Sequence, residues 1–561
     1  MKRTLPLLLL ILPLQLACNA ELTADPTKSG SDGSGNGSNG SGSGALPGNG
    51  PGSQGGGSGV AQVDITPARL LTDVQYNNAV ATLFGNTSRP LNEQISAHGD
   101  VYDNDASGLI ASPRTAEALE EVALKVAQEA FSSGAVDFPC SSGEDEATCI
   151  ESFIAKEGLR VFRRPPTADE TQLLSGLYSE LRAAPIEDSQ DDAARGVLGA
   201  MLQMPGFLYQ VALGEGAGGE SRLTGYEIAT RLAITLTNSV PDDALLQAAQ
   251  NGRLDNDEGV RSEALRLLDS KAAHAGLLHF VDQWLGITEI DRMTRDEELF
   301  PAYSPELGAA LQEETRRFFA EIFWNRNGNV SDLYSADFSF VNGELARLYG
   351  IEGDFGSDFK QAQLPEDRRG ILTQGAYLAA HSVFDRTSPI ARGVYTLRKI
   401  MCHELGSVPN NVGALPAEIP EGGTVRDLLE AHSANPCASC HKFIDPVGLS
   451  FENYDAVGAF RTEYDNGAPI DATSQLPLDG DTIDLDGGVD FTLAFADSPS
   501  STTCFTQQLM SYALGRTLER GDKATVSQIA SQTSNLREIV LNVVSSKPFL
   551  YRNVPTPEVC E

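Results

Sequence analysis

Positive charge is scarce in this chain: 41 Lys and Arg stand against 77 Asp and Glu in 561 residues, a formal net charge of −36. Such a surface repels phosphates and anionic headgroups, so charge-driven binding of nucleic acid or of an anionic bilayer is excluded. Basic proteins, neutral molecules and small redox carriers remain as partners, and the acidity also serves solubility. Long apolar runs are missing as well. The stretch from Leu5 to Leu16 is too short to span a bilayer as a permanent helix. No Ser-His-Asp order, phosphate-cradling glycine loop or paired-carboxylate signature stands out, which leaves hydrolase chemistry unsupported. Extended alternating runs are few from Ala68 onward, where helical periodicity dominates, so the expected fold is mainly α.

What stands at the N-terminus is an export signal, residues 1–18: Lys2 and Arg3, the apolar stretch, then Ala17 and Cys18. Cys18 after a small residue resembles the lipobox of bacterial lipoproteins, in which the cysteine is acylated. Gln15 stands where an aliphatic residue is usual, so secretion with cleavage nearby is the alternative. Fourteen of the chain's 54 glycines lie in the tether that follows, residues 19–62, which is almost wholly Gly, Ser and Asn from about Ser29 to Gly59. A tether implies an anchor. With Asn19 after an acylated Cys18, the resemblance points to an outer-membrane lipoprotein, periplasmic or at the cell surface, touching the membrane through its lipid only.

The eight cysteines, at 18, 140, 149, 402, 437, 440, 504 and 560, fit an oxidising compartment. Cys140 and Cys149 bracket a polar stretch that closes as a small disulfide loop. Cys402, Cys504 and Cys560 cannot all pair with one another, and their partners stay open.

The globular part divides at glycine- and proline-rich breaks into helical modules 63–135, 136–215 (with the Cys140–Cys149 loop), 216–355, 356–478 (with the CxxCH motif) and 479–561. Leu277, Phe280, Val281, Trp284 and Leu285 form one apolar stripe, with Asp282 and Gln283 expected outside it. Glu313, Glu314, Arg316 and Arg317 read as a solvated helix face. The acidic run Asp479 to Asp490 reads as a solvated loop, since its spacing does not match an EF-hand.

The chemistry concentrates at Cys437-Ala438-Ser439-Cys440-His441. On a helical turn the two thiols and the imidazole project to one side, which is what two thioether bonds and one iron ligand need. Asn435 and Pro436 start a helix well, and Asp445-Pro446 is expected to limit it. The motif predicts one covalent haem c, with Cys437 and Cys440 attached and His441 as iron ligand, against an apolar wall drawn from Phe443, Ile444, Val447, Leu449 and Phe451. A CxxC redox disulfide is one alternative, and Zn²⁺ held by the two thiols with His432 and His441 is another. Export and the lack of a surrounding βαβ pattern favour haem. For the sixth ligand Met510 or His432 is the candidate, with His403, His381 and Met401 as rivals; Met510 also reads as core. His98, His274 and His279 have no link to the motif.

Further segments carry a resemblance. They are Leu70-Leu71-Thr72 with Gln75-Tyr76-Asn77-Asn78 and Leu83-Phe84-Gly85; Phe162-Arg163-Arg164-Pro165; Tyr226 to Leu232 with Pro241-Asp242-Asp243; Arg369 to Thr373; Ser388 to Gly393; Ile444 to Gly448; Glu452 to Asp455 with Gly458 and Arg461; and Tyr512 to Arg516. In this order they resemble the large exported cytochrome-like proteins of planctomycetes and myxobacteria, built from serial domains of unknown function. Membership implies a haem-bearing segment and an envelope location but leaves the reaction undefined. The residues after Leu232, Ala-Ile-Thr-Leu-Thr, depart from the aromatic and tryptophan usual there. Arg163, Arg164, Arg231, Arg369, Arg392, Arg461 and Arg516 are expected to brace module junctions by pairing carboxylates. Two functions follow. One is electron transfer or an envelope redox reaction with a partner protein; the other is a non-catalytic surface scaffold or a glycan- or protein-binding lipoprotein whose CxxCH is structural.

Overall fold

Helices begin where the sequence supplies an acceptor for the first unpaired N–H groups. Thr72, Thr167 and Thr224 each close a reciprocal capping box with Gln75, Glu170 and Glu227. Pro113, Pro305, Pro389 and Pro499 occupy first turns, where a missing N–H costs nothing. The computed structural model describes residues 67–92, 95, 102–109, 112–141, 143–184, 189–216, 219–406, 423–430 and 437–554. These form a mainly α protein; Cys18, Cys560, His98, His432, Asn435, Pro436 and the tether lie outside them.

The strands among the described residues are short antiparallel pairs: Arg69–Leu70 with Tyr209–Gln210, Gly219–Arg222 with Tyr551–Val554, Phe338–Val341 with Lys360–Gln363, and Thr473–Leu478 with Asp481–Asp486. The last pair corrects the expected acidic loop. Asp479 and Gly480 both take positive φ, 53° and 96°, and form the two-residue turn that Asp-Gly favours between strands. Leu476, Leu478 and Leu485 face the core from the two strands.

Two large cores organise the helices, and a small third cluster gathers Val425, Leu429, Leu449 and Tyr464. The first joins Asp73–Phe84, Pro113–Ser132, Glu146–Val161, Ala168–Ala183 and Gln190–Met201 around Tyr76, Phe153 and Phe207. The second runs continuously from Leu223 to Leu550. The first two sequence modules therefore share one interior and the last three share another. Tyr102 belongs to the second core and donates to Gln508, 2.8 Å away, while Asn104 Nδ2 donates to the Tyr512 carbonyl, so the early segment stitches the two together. Each large side chain so enclosed contributes roughly 1.5–3 kcal/mol. Cys140–Cys149 and Cys402–Cys504 are disulfides. No helix among the described residues is long and apolar enough to cross a membrane.

The stripe from Leu277 to Leu285 is buried as expected. Asp282, however, is buried rather than outward, because Arg316 reaches its carboxylate at 2.5 Å from the neighbouring helix Pro305–Ala320. Glu314, expected in a solvated face, is fully buried on that same helix. It accepts from Ser339 Oγ at 2.6 Å and from the Tyr349 hydroxyl at 2.5 Å, and the Arg368 guanidinium lies 4.0 Å from the Tyr349 ring centroid. Only Glu313 and Arg317 form the exposed pair the sequence suggested.

Burial pushes the Glu314 carboxyl up from 4.5 to about 7, with the two hydroxyl donors and Arg368 partly opposing it. In this window the folded state holds a proton that the unfolded state has released, so stability falls as pH rises from about 4.5 to about 7 and is level above that. Glu314→Gln should remove that slope, worth roughly 3 kcal/mol across the window. Urea unfolding at pH 5 and pH 8 measures it; equal pH dependence in the two proteins would show that Glu314 ionises freely.

Candidate functional site

The helix Ala438–Ser450 starts on Cys437, whose carbonyl accepts the N–H groups of Cys440 and His441 at 3.1 Å. Both thiols are partly buried and neither is in a disulfide, whereas Cys140, Cys149, Cys402 and Cys504 are all paired. His441 Nδ1 lies 2.9 Å from Asp445 Oδ1, one turn further along, with the two side chains 14% and 22% exposed. With Nδ1 so engaged, metal coordination by this ring falls to Nε2.

Two thiols and an imidazole on one helix turn are a donor set that could hold a haem. Among the described residues, the group of three or more His, Cys, Asp or Glu whose ligand atoms converge is Cys140, Glu144 and Cys149, where the sulfurs already bond each other. Cys437, Cys440 and His441 share a helix turn without converging on one point. Tetrahedral Zn²⁺ needs convergence; a porphyrin takes sulfur at its edge and imidazole at its centre. His432, the fourth zinc ligand considered, lies outside the described residues.

Pro446 does not end the helix, which continues to Ser450. The reason is tertiary. Gly448 and Gly393 let this helix cross Pro389–Tyr395 at backbone contact: a Cβ on Gly448 would collide with the Pro389 carbonyl oxygen, and one on Gly393 with that of Ile444. Ser450 and Ser474 hydroxyls both donate to the Pro446 carbonyl, at 2.8 and 2.9 Å. Of the expected apolar wall, Ile444, Val447 and Phe451 are buried in the second core, Leu449 is buried in a small separate cluster with Val425, Leu429 and Tyr464, and Phe443 is partly exposed.

Arg392, wholly buried, clasps the turn that follows the helix. Its Nη1 donates to the carbonyls of Phe451 and Tyr454, and its Nη2 to those of Leu378 and Asp455 and to the Ser382 hydroxyl, at 2.6–3.1 Å. Burial lowers its pKa to about 10, which still leaves it charged at neutral pH. Buried Glu452 beside it accepts from Thr387 at 2.6 Å and pairs with Arg461 at 3.3 Å. In the sequence Glu452 stands out only as part of the segment Glu452 to Asp455, and nothing in its spacing marks it as buried.

The expectation that these arginines brace module junctions by pairing carboxylates is met only in part: Arg231 alone of the seven reaches another module, at the Phe549 carbonyl, and the other six bond within their own module. Arg164, Arg461 and Arg516 pair with Glu170, Glu452 and Asp522. Arg163, Arg231, Arg369 and Arg392 donate to backbone carbonyls instead. Carbonyls in buried turns need donors, and a guanidinium brings five.

The sixth-ligand candidates are dispersed. Met510 is fully enclosed in the second core. His381 is buried, bonds the Leu285 carbonyl at 2.9 Å and stacks on Tyr395; burial pushes its pKa down to about 4. His403 packs against the motif's helix, its ring centroid 5.0 Å from that of Phe443. It follows Cys402, which takes a φ of 51° and is bonded to Cys504. Met401 is partly buried against the second core. His274 stacks on Trp324, and His279 bonds Asp103 at 2.8 Å.

Family models, each described as a protein of unknown function, match in this order: DUF1587 over residues 69–132, DUF1595 over 149–211, DUF1592 over 223–351, DUF1588 over 368–464 and DUF1585 over 484–549. The chain is a serial array of five such domains. The DUF1588 segment of the array holds the CxxCH helix, Arg392 and Glu452. No curated protein and no solved structure matches the chain.

Gly448→Ala should cost about 1–3 kcal/mol by forcing the crossing helices of the DUF1588 segment apart. Gly176, exposed within the helix Ala168–Ala183 with open space at its Cβ position, is the control. There alanine should stabilise by about 0.5–1 kcal/mol. Urea midpoints measure both, and a neutral Gly448→Ala would mean the crossing has slack.

Proposed function

We propose that this chain is an exported c-type haem protein, with haem attached through Cys437 and Cys440 and ligated by His441, acting in electron transfer or an envelope redox reaction. The observation that carries this reading is the state of the cysteines: the CxxC thiols are unpaired next to His441 while the other described cysteines form disulfides. A pair reserved for thioether formation has to stay reduced until attachment. The two disulfides support an oxidising compartment. The domain order supports kinship with the exported cytochrome-like proteins of planctomycetes and myxobacteria. Acylation at Cys18 would anchor the protein at the outer membrane.

When bound, the haem supplies a one-electron couple. Cys437 and Cys440 would hold the haem by thioethers and His441 would ligate its iron, while Arg392 and the Gly393–Gly448 crossing keep the helix in place. The acidic surface suits a basic redox partner or a small neutral carrier.

Protein purified from a haem-attaching host should give a pyridine haemochrome spectrum after denaturation and a haem-sized addition to its intact mass. The double variant Cys437→Ala, Cys440→Ala should lose both. Native mass without the addition, and a spectrum unchanged in the variant, would replace this reading with a structural or zinc-holding CxxCH in a surface scaffold.

A further inference from the structure

The contact between His441 and Asp445 does more than the helix needs. Within a helix, an acid placed one turn after its basic partner is the less favourable order, because it sets both charges against the backbone dipole. Exposed i,i+4 pairs are worth only a few tenths of a kcal/mol in any case. Yet Asp445 directly precedes Pro446, a residue that already strains the helix, and both partners of the 2.9 Å contact are more than three-quarters shielded from solvent. The backbone on which they stand is fixed by the crossing at Gly393 and Gly448 and by the two hydroxyl donors to Pro446. A carboxylate is thus held rigidly at the ring nitrogen that would lie away from the iron.

We propose that Asp445 is a positioning residue for the haem ligand: it accepts the Nδ1–H of His441, holds the ring for ligation through Nε2, and would add negative charge to that ligand, so that a bound ferric state would be favoured over the ferrous. This rests on the haem reading above. A partner that orients a ligating histidine also sets its donor strength, and a carboxylate does so more strongly than a neutral acceptor. The site is accordingly tuned toward low potential, suited to passing one electron onward to an acceptor.

The test uses the full chain from a haem-attaching host, as wild type and as Asp445→Asn, Asp445→Ser and Asp445→Glu, with Lys442→Ala as a neighbouring control. Haem content is read first, by the denatured haemochrome. If wild type carries none, the haem reading fails, and Asp445's role fails with it. Where haem is present, the ferric-to-ferrous ratio is measured spectrally in a redox buffer poised at the wild-type midpoint. Asp445→Asn and Asp445→Ser should shift it about tenfold toward ferrous, ~59 mV for a one-electron couple, while Asp445→Glu and Lys442→Ala stay within about twofold of wild type. Equal haem content with an unchanged ratio in the Asn and Ser proteins would overturn the tuning role and leave the haem reading intact. Loss of haem from both, with Lys442→Ala loaded normally, would also overturn it, since Asp445 would then serve attachment or folding.

Discussion

A single buried guanidinium holds the site in register. Arg392 emerges from the helix that the CxxCH helix crosses and spends its terminal nitrogens on the carbonyls of Phe451, Tyr454, Asp455 and Leu378. A turn that reverses inside a protein leaves carbonyls without partners, and each unmet group costs about 1–3 kcal/mol. Arg392 donates to three carbonyls of this turn, those of Phe451, Tyr454 and Asp455, and to that of Leu378 on a neighbouring helix, and Glu452 and Asp455 offset part of the cost of burying its charge. The end of the CxxCH helix is thereby fixed to the helix below it, and the position of His441 follows from that.

The same economy recurs across the array. Arg163 gathers the carbonyls of Gly206, Phe207 and Tyr209 beside the strand pair that closes the first core. Arg231 reaches the Phe549 carbonyl, joining the DUF1592 and DUF1585 segments. A chain so rich in carboxylates has little need of more acceptors; its few buried cations go where backbone oxygen would otherwise be stranded. Covalent closure complements them. Cys402–Cys504 ties the stretch before the CxxCH segment to the long helix Pro499–Leu514, and it fixes the backbone next to His403, which packs on Phe443.

Local pattern carried much of this into view. The helices with strong stripes and good caps lie where periodicity puts them, as Lys271–Trp284 does, and the Cys140–Cys149 loop closes as its spacing allows. The burial of Asp282 and that of Glu314 escape the local pattern for one cause, while the Asp445 pairing and the Asp479–Gly480 turn do not. Asp282 and Glu314 look like surface residues because their burial depends on Arg316, Ser339 and Tyr349 arriving from other turns and elements. Asp445 was read as a helix stop because Pro446 follows it, although its i+4 distance from His441 was available as a sign of pairing. The Asp479–Gly480 turn was legible too, in a dipeptide flanked by alternating apolar residues.

By itself, the sequence determined the mainly helical class, the order of the segments and the presence of two thiols and an imidazole on one helical turn, because periodicity, capping and i, i+3, i+4 spacing are properties of contiguous residues. Only the tertiary structure decided that five segments share two interiors, that Cys402 bonds Cys504, that a helix runs through Pro446, and which acids are buried. Those outcomes depend on donors and close-packed backbone brought together from distant parts of the chain, and a string of residues does not state which of its distant parts will meet.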